Sequence, residues 1–462
     1  MEAIIGSPGT GKTYTLEKEI EPYGKNFIYL TYNKSMAAQA RERIIDDPNK
    51  VGTFHSILSR QMHIGNFMKT KDEQLFCKQE GLTYTYVSLN NGDIANTDYG
   101  KFMLWYDNMI NRMIEPRNLP NEKLNFTYLL EKYTAFKKKH DLMDYTDILK
   151  QAADYNFRYT PLLVVDEAQD LTPIMWKIID QWNADRKVIA GDDEQCIYGF
   201  RAVDVNLFIE HVKNPRILDT SKRFGENIRQ LADNIIAPAR VIPRKWRGTN
   251  ESHIGFEKPR DFLKREGSKA ILTRTNSLAQ EIADRLDVPA ISINIEHSLG
   301  NGWTKNTFRF IDLFNRYPKW TDNDFKIIIE KTPANLWQRG TKSKAKRMNA
   351  DNRLSLFSFE LLKGSKDIES LISMLEVNDK QKRNILRYYR HPVEPIYIDT
   401  IHASKGLEFD NVLLATDYPA ITEFNNDERR VLFTGATRAR KRLSFFYFEK
   451  YKAQYEIWRF LN

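Results

Sequence analysis

The sequence predicts an α/β protein with parallel sheets and more than one hydrophobic core. Three observations carry that expectation. Ala3-Ile4-Ile5, Pro161-Leu162-Leu163-Val164-Val165 and Lys187-Val188-Ile189-Ala190 are short apolar runs without polar alternation, the pattern of strands covered on both faces. Each run ends on residues able to do chemistry: a glycine loop, the pair Asp166-Glu167, and Gly191-Asp192. Parallel sheets place their ligand sites at such carboxyl ends. The length of 462 residues is about three times that of an ordinary domain, so two or more cores are required.

The first run leads into Gly6-Ser7-Pro8-Gly9-Thr10-Gly11-Lys12-Thr13, and Tyr14 to Ile20 continues as a helix. A glycine loop between strand and helix lets consecutive backbone N–H groups and the helix N-terminus surround phosphates. Gly6, Gly9 and Gly11 leave room for that approach, Thr10 completes the loop, Lys12 reaches the outer phosphates and Thr13 offers a hydroxyl to Mg2+. A glycine-rich turn with a fortuitous Lys-Thr pair is the bland alternative, and the flanking strand and helix disfavour it. The second run delivers Asp166 as a metal ligand and Glu167 as the group that orients and deprotonates water. After the third run, Gln195 has the reach and dual hydrogen bonding to sense a γ-phosphate. Charge developing on a transferred phosphoryl group calls for arginine from elsewhere in the chain, and Arg223 and Arg438 are the candidates.

Composition narrows the class. Hydrophobic residues make up 41% and charged residues 28%, the mean hydropathy is −0.57, and no apolar run approaches the ~18 residues of a membrane span. A membrane protein is not expected, and the N-terminus lacks a signal-peptide pattern, so the expected location is the cytoplasm. Cys77 and Cys196 stand far apart, which speaks against a disulfide scaffold or a zinc site. A net charge of +9 and a pI near 9.1 favour a polyanionic partner, and 22 Tyr and 26 Phe supply rings of the kind that stack on bases.

Further segments give the pattern a family resemblance. Thr31-Tyr32-Asn33-Lys34, Gly52-Thr53-Phe54-His55-Ser56, Asp144-Tyr145-Thr146-Asp147-Ile148-Leu149, Gln195-Cys196-Ile197-Tyr198-Gly199-Phe200-Arg201, Thr400 to Phe409 and Asp427 to Arg438 follow one another in order. With the loop and strand-end acids, they resemble the motifs of UvrD/Rep-type superfamily 1 helicases from Ile4 to about Phe448. The resemblance implies two RecA-like parallel-sheet P-loop cores, each with an inserted, mostly helical accessory domain. The implied division is residues 1–60 and 144–214 for core 1, 61–143 for the first insertion, 215–275 and 395–462 for core 2, and 276–394 for the second insertion. It implies ATP, or another nucleoside triphosphate, with Mg2+ between the cores, Arg223 and Arg438 inserted from the second, and Gly406 and Glu408 beside the nucleotide. Tyr32, Asn33, His55, Tyr198, Phe200, Arg201, His402 and Ser404 would meet single-stranded DNA, Phe200 stacking on a base and Arg201 contacting phosphate.

The implied activity is an ATP-dependent DNA helicase moving 3′ to 5′ on single strands and at single-strand/duplex junctions, with replication or repair proteins as partners. Two alternatives stay open: a translocase that strips proteins but unwinds poorly, and a nucleotide-gated nucleic-acid-binding module. Tyr133 to His140, with Lys137-Lys138-Lys139, reads as a basic helix that is either a solvated face or a phosphate contact. Asn214-Pro215-Arg216 is a candidate hinge, and Leu354 to Leu375 has a helical pattern. Both insertions look smaller than in large relatives. The chain departs from the family at two points that touch base recognition: five residues precede Gly6, and Ser221-Lys222-Arg223-Phe224 places lysine where a tyrosine commonly stacks on the nucleobase. Relaxed nucleobase preference follows as an expectation, and hydrolysis assays that show a strong preference for ATP over GTP would contradict it.

Overall fold

The apolar runs become neighbouring strands of one parallel sheet. A computed structural model describes residues 1–32, 34–84, 97–117, 124–286, 290–291, 310–311, 313–314, 321–332, 367–390, 396–416, 425–446 and 460. These pack as two units, one of Met1–Glu257 with Ser404–Asn462 and one of Lys258–Ala403. Among the described residues no helix is long and apolar enough to cross a membrane.

In the larger unit, β1 (Glu2–Gly6), β2 (Phe27–Thr31), β3 (Val51–Thr53), β4 (Thr160–Val165), β5 (Ala184–Gly191) and β6 (Arg216–Leu218) lie in the order β3-β2-β4-β5-β1-β6. Every neighbouring pair is parallel; Ile4 stands opposite Ala190 and Leu30 opposite Val165. Successive residues point to opposite faces, and each face has its own core. Ile5, Leu30, Leu163, Val165 and Ile189 pack with Phe54, Ile57 and Trp176, whereas Ile4, Tyr29, Leu162, Val164 and Val188 pack with Leu16 and Ile20. A sheet covered on both sides has no use for polar alternation, which is why these strands read as unbroken apolar runs.

Asn214 adopts a left-handed φ of 48°, and the chain then runs beside β1 as β6, with Ile4 opposite Arg216. Beyond it, β7 (Thr220–Ser221) pairs in parallel with β8 (Arg247–Gly248). The same unit contains a second parallel group, in which Ala439–Phe446 pairs with Phe409–Ala415 on one side and His253–Phe256 on the other. In the smaller unit, Ile396–Thr400 pairs in parallel with both Lys269–Thr273 and Ala290–Ile291. Of the segment with a helical pattern, Ile368–Met374 is helix; residues 354–366, like Asn33, lie outside the described residues.

The segment between β3 and β4 builds an aromatic core of its own from Phe76, Tyr99, Phe102, Trp105, Tyr106, Phe126, Tyr133 and Phe136. The basic helix forms as Phe126–Lys139, capped by the Asn125 side chain, which accepts from the Tyr128 N–H. Its lysines divide. Lys138 and Lys139 are exposed, but Lys137 turns inward, with Nζ 2.6 Å from both Asp144 and Asp147 and 5.1 and 4.5 Å from the ring centres of Tyr106 and Tyr133. Lys137 is therefore a structural counter-charge and not a phosphate contact. Removing one partner of a buried ion pair costs about 3–5 kcal/mol, so Lys137→Ala is expected to lower the unfolding free energy by that amount in urea titrations. A loss below about 1 kcal/mol, the range of exposed pairs, would put the ammonium in solvent instead.

Candidate nucleotide and strand site

The phosphate loop leaves β1 at Gly6, and Gly11 caps the helix Lys12–Ile20 with a left-handed φ of 88°. Gly9 also has a positive φ, 77°, and a Cβ there would fall 2.5 Å from Arg223 Cβ and 2.7 Å from Ser221 Oγ. The strap Ser221-Lys222-Arg223 thus lies directly against the loop, tied by Ser221 Oγ donating to the Pro8 carbonyl at 2.8 Å and the Lys222 N–H donating to the Gly9 carbonyl at 2.9 Å. Thr10 Oγ1 closes the loop onto the Ser7 carbonyl at 2.8 Å, and Lys12 Nζ donates to the Gly6 carbonyl at 2.7 Å.

Asp166 ends β4 within reach of the loop. Thr13 Oγ1 and Tyr29 Oη donate to its Oδ2 at 3.2 and 2.7 Å. Burial, with Glu167 as neighbour, pushes the Asp166 carboxyl up to about 6. Glu167 has a left-handed φ of 57°, costly for a residue with a side chain, and accepts from Gln169 Nε2. Burial raises its pKa, but the fields of Lys405 and Lys12 outweigh that, and the net shift is downward. Glu167 is therefore an anion at neutral pH, suited to take a proton from water.

Gln195 and Arg438 meet. Gln195 Nε2 donates to Asp192 Oδ2 at 2.6 Å, and Gln195 Oε1 accepts from Arg438 Nη2 at 2.6 Å. Arg438 is 2% exposed, fixed by the Thr434 and Leu407 carbonyls, and burial beside Arg223 pushes its pKa down to about 9. Arg223 donates to the Thr437 carbonyl and to Glu408 Oε1, both at 3.0 Å. Its buried Nε has no acceptor among the described residues. Gly406 takes a left-handed φ of 86° in the same segment. Glycine backbone, hydroxyl with carboxylate, lysine, and an arginine with an unused donor form a donor set that fits a triphosphate with Mg2+.

The residues expected at a strand partly assemble. Tyr32 and Tyr198 stack at 5.2 Å with 29° between their planes, Arg201 Nη1 donates to Tyr32 Oη at 2.9 Å, and Phe200 meets Tyr198 edge-on at 6.1 Å. Phe200 is half-buried, outside the packed core. Tyr198, 6% exposed, has Lys405 Nζ over its ring at 5.2 Å. His55 meets exposed Tyr145 edge-on at 5.6 Å, and burial with the field of Arg201 pushes its pKa down to about 4, so it is neutral. Ser404 is buried at the start of a turn, its carbonyl accepting from the Leu407 N–H. His402 is buried in the smaller unit.

Sequence reasoning missed Lys405. Its ammonium donates to Asp170 Oδ1 and to the Gln195 carbonyl, both at 2.7 Å, and stands 3.9 Å from Glu167. One cation thus faces the Glu167 carboxylate, the Gln195 backbone and the Tyr198 ring. It sits between Ser404 and Gly406 inside a recognised segment, so the signal was present. Arg244 was missed for a different reason: no motif contains it, and only the structure brings it to Asp192, Asp193 and Glu194.

The UvrD/REP helicase N-terminal domain model matches residues 2–215 and the UvrD-like helicase C-terminal domain model matches residues 395–445. The chain is 25% identical to the F-box DNA helicase 1 of Gallus gallus, over 95% of its own length and 46% of that protein's. It is 24% identical to the ATP-dependent DNA helicase UvrD2 of Mycobacterium bovis, over 71% and 55%, and 22% identical to the ATP-dependent DNA helicase Rep of Buchnera aphidicola, over 98% and 93%. The chain spans about half the length of the first two relatives. The glycine loop, the strand-end acids and Gln195 fall within the first matched region and Arg438 within the second: the chain belongs to the UvrD/Rep family of superfamily 1 helicases, α/β proteins with two RecA-like cores.

Proposed function

We propose that the chain hydrolyses a nucleoside triphosphate with Mg2+ to move 3′ to 5′ along single-stranded DNA and to separate duplex at junctions. The observation that carries this reading is the contact of Arg438 with Gln195, with Arg223 packed against the phosphate loop. Residues from distant parts of the sequence thereby converge where phosphoryl transfer needs positive charge. The relatives' names as DNA helicases support DNA as the track, and the polarity rests on the family resemblance.

Lys12 would exchange the Gly6 carbonyl for phosphate oxygens when nucleotide binds, and Thr13 and Asp166 would hold the metal. Mg2+ supplies charge neutralisation on the phosphates. Glu167 orients and deprotonates water, Gln195 positions it, and Arg223 and Arg438 stabilise charge on the transferred group. Phe200 stacks on a base and Arg201 contacts phosphate, with Tyr32, His55, Tyr198 and Ser404 along the same track. In this reading residues 1–60 and 144–214 form the first core, 215–275 and 395–462 the second, and 61–143 and 276–394 are the accessory insertions.

Phosphate release should rise on adding single-stranded DNA, and 3′-tailed duplexes should be separated faster than 5′-tailed ones. Arg438→Ala should keep nucleotide binding while lowering turnover on the order of 10³-fold; unchanged turnover removes Arg438 from the mechanism. Phe200→Ala should weaken single-strand binding by about 1–3 kcal/mol, measured by fluorescence anisotropy, and equal affinity would return the ring to a packing role.

A further inference from the structure

The Arg244 side chain is 0% exposed, and so are those of its three partners Asp192, Asp193 and Glu194. Its Nη2 pairs with Asp192 Oδ1 and, at 2.8 Å, with Glu194 Oε2, while Nη1 pairs with Asp193 Oδ1. The fourth contact leaves the acidic cluster: Nε donates to Ser7 Oγ at 3.0 Å, and Ser7 Oγ donates to Glu194 Oε2 at 3.1 Å. Ser7 belongs to the phosphate loop.

The acids have other supports, so neutralisation alone does not account for Arg244. Asp193 Oδ2 accepts from the N–H groups of Val241 and Ile242 at 3.0 and 3.2 Å. Glu194 also pairs with Arg240, and Arg430 Nε donates to the Asp193 carbonyl at 3.1 Å. Asp192 depends on Arg244 more than its neighbours do. Its Oδ1 receives Arg244 and the Glu194 N–H, and its Oδ2 receives Gln195 Nε2. Fixing Oδ1 fixes the carboxylate plane, which fixes the Gln195 amide and turns Oε1, not the NH2, toward Arg438.

We infer that Arg244 is a positioning residue for phosphoryl transfer, tying the phosphate loop at Ser7 to the Asp192–Gln195–Arg438 relay so that loop and relay move as one piece. The inference rests on the proposed hydrolytic function and adds a residue that touches neither nucleotide nor strand. Without this guanidinium the Asp192 side chain keeps the Glu194 N–H and Gln195 Nε2 but loses the charged partner that fixes its Oδ1.

A double-mutant cycle in the full chain tests the idea: wild type, Arg244→Lys, Gln195→Ala and the pair, with turnover measured on single-stranded DNA. A fluorescent ATP analogue gives site number and affinity for each. Arg244→Lys should lower kcat per titrated site about tenfold or more, the scale of a misplaced catalytic group, with nucleotide affinity changed less than about threefold. In the Gln195→Ala background the same substitution should change kcat less than about twofold, because residues acting as a unit are not additive. Effects that multiply, or a loss confined to site number or affinity, overturn the inference. If Arg244→Lys does not fold, Ser7→Ala carries the test, since it leaves all three carboxylates paired: it should lower kcat in wild type and be silent in Gln195→Ala, and equal losses in both backgrounds overturn the inference. A wild-type chain that binds the analogue but hydrolyses nothing, with or without strand, overturns the functional reading itself before any variant is compared.

Discussion

Carboxylates withdrawn from water at the ends of β4 and β5 are the constraint that the rest of the larger unit obeys. Asp166, Asp170, Asp192, Asp193 and Glu194 are all at most 2% exposed, and an acid in that position must be met by a cation or by several donors. Neither strand supplies the cations. They come from Lys12 after β1, from Arg240 and Arg244 before β8, and from Lys405 near the C-terminus. The fold is thus drawn together electrostatically around the same loops that would face a triphosphate. A site assembled from distant cations responds as a whole when one of them changes partner.

Lys405 shows how such a response could travel. Its ammonium meets Asp170, the Gln195 carbonyl and the face of Tyr198, and Tyr198 stacks on Tyr32, which accepts from Arg201. The aromatic pair is thus linked to Glu167 through one side chain, whose ammonium stands 3.9 Å from that carboxylate. The route is short and made of groups with two or more competing partners, the kind of element whose equilibrium both sites can bias.

Much of the fold was legible because two-faced burial leaves a strong mark: the runs at 3–5, 161–165 and 187–190 lie in β1, β4 and β5. The phosphate loop, Asp166, Glu167, Gln195, Arg223 and Arg438 were singled out by position within motifs, and the structure brings Thr13 to Asp166, Arg438 to Gln195 and Arg223 to the loop. Arg244 was not legible, since its role comes from tertiary contact with residues about 50 positions earlier and any arginine on a loop looks the same in one dimension. Lys137 was misread for a related reason. A run of three lysines reads as a solvated face, whereas the helix turns one of the three inward to Asp144 and Asp147.

That inward lysine bears on how the protein can be dissected. Asp144 and Asp147 start the helix that leads into β4, yet their counter-charge is supplied from within the stretch joining β3 to it. Arg201, on the candidate strand track, likewise faces Asp107 from that stretch at 3.8 Å. Excising the stretch to obtain a minimal engine would leave bare acids at the seam and an arginine without its neighbour. Chimeras that exchange it should carry the lysine, both aspartates and the two enclosing tyrosines as one transplantable block.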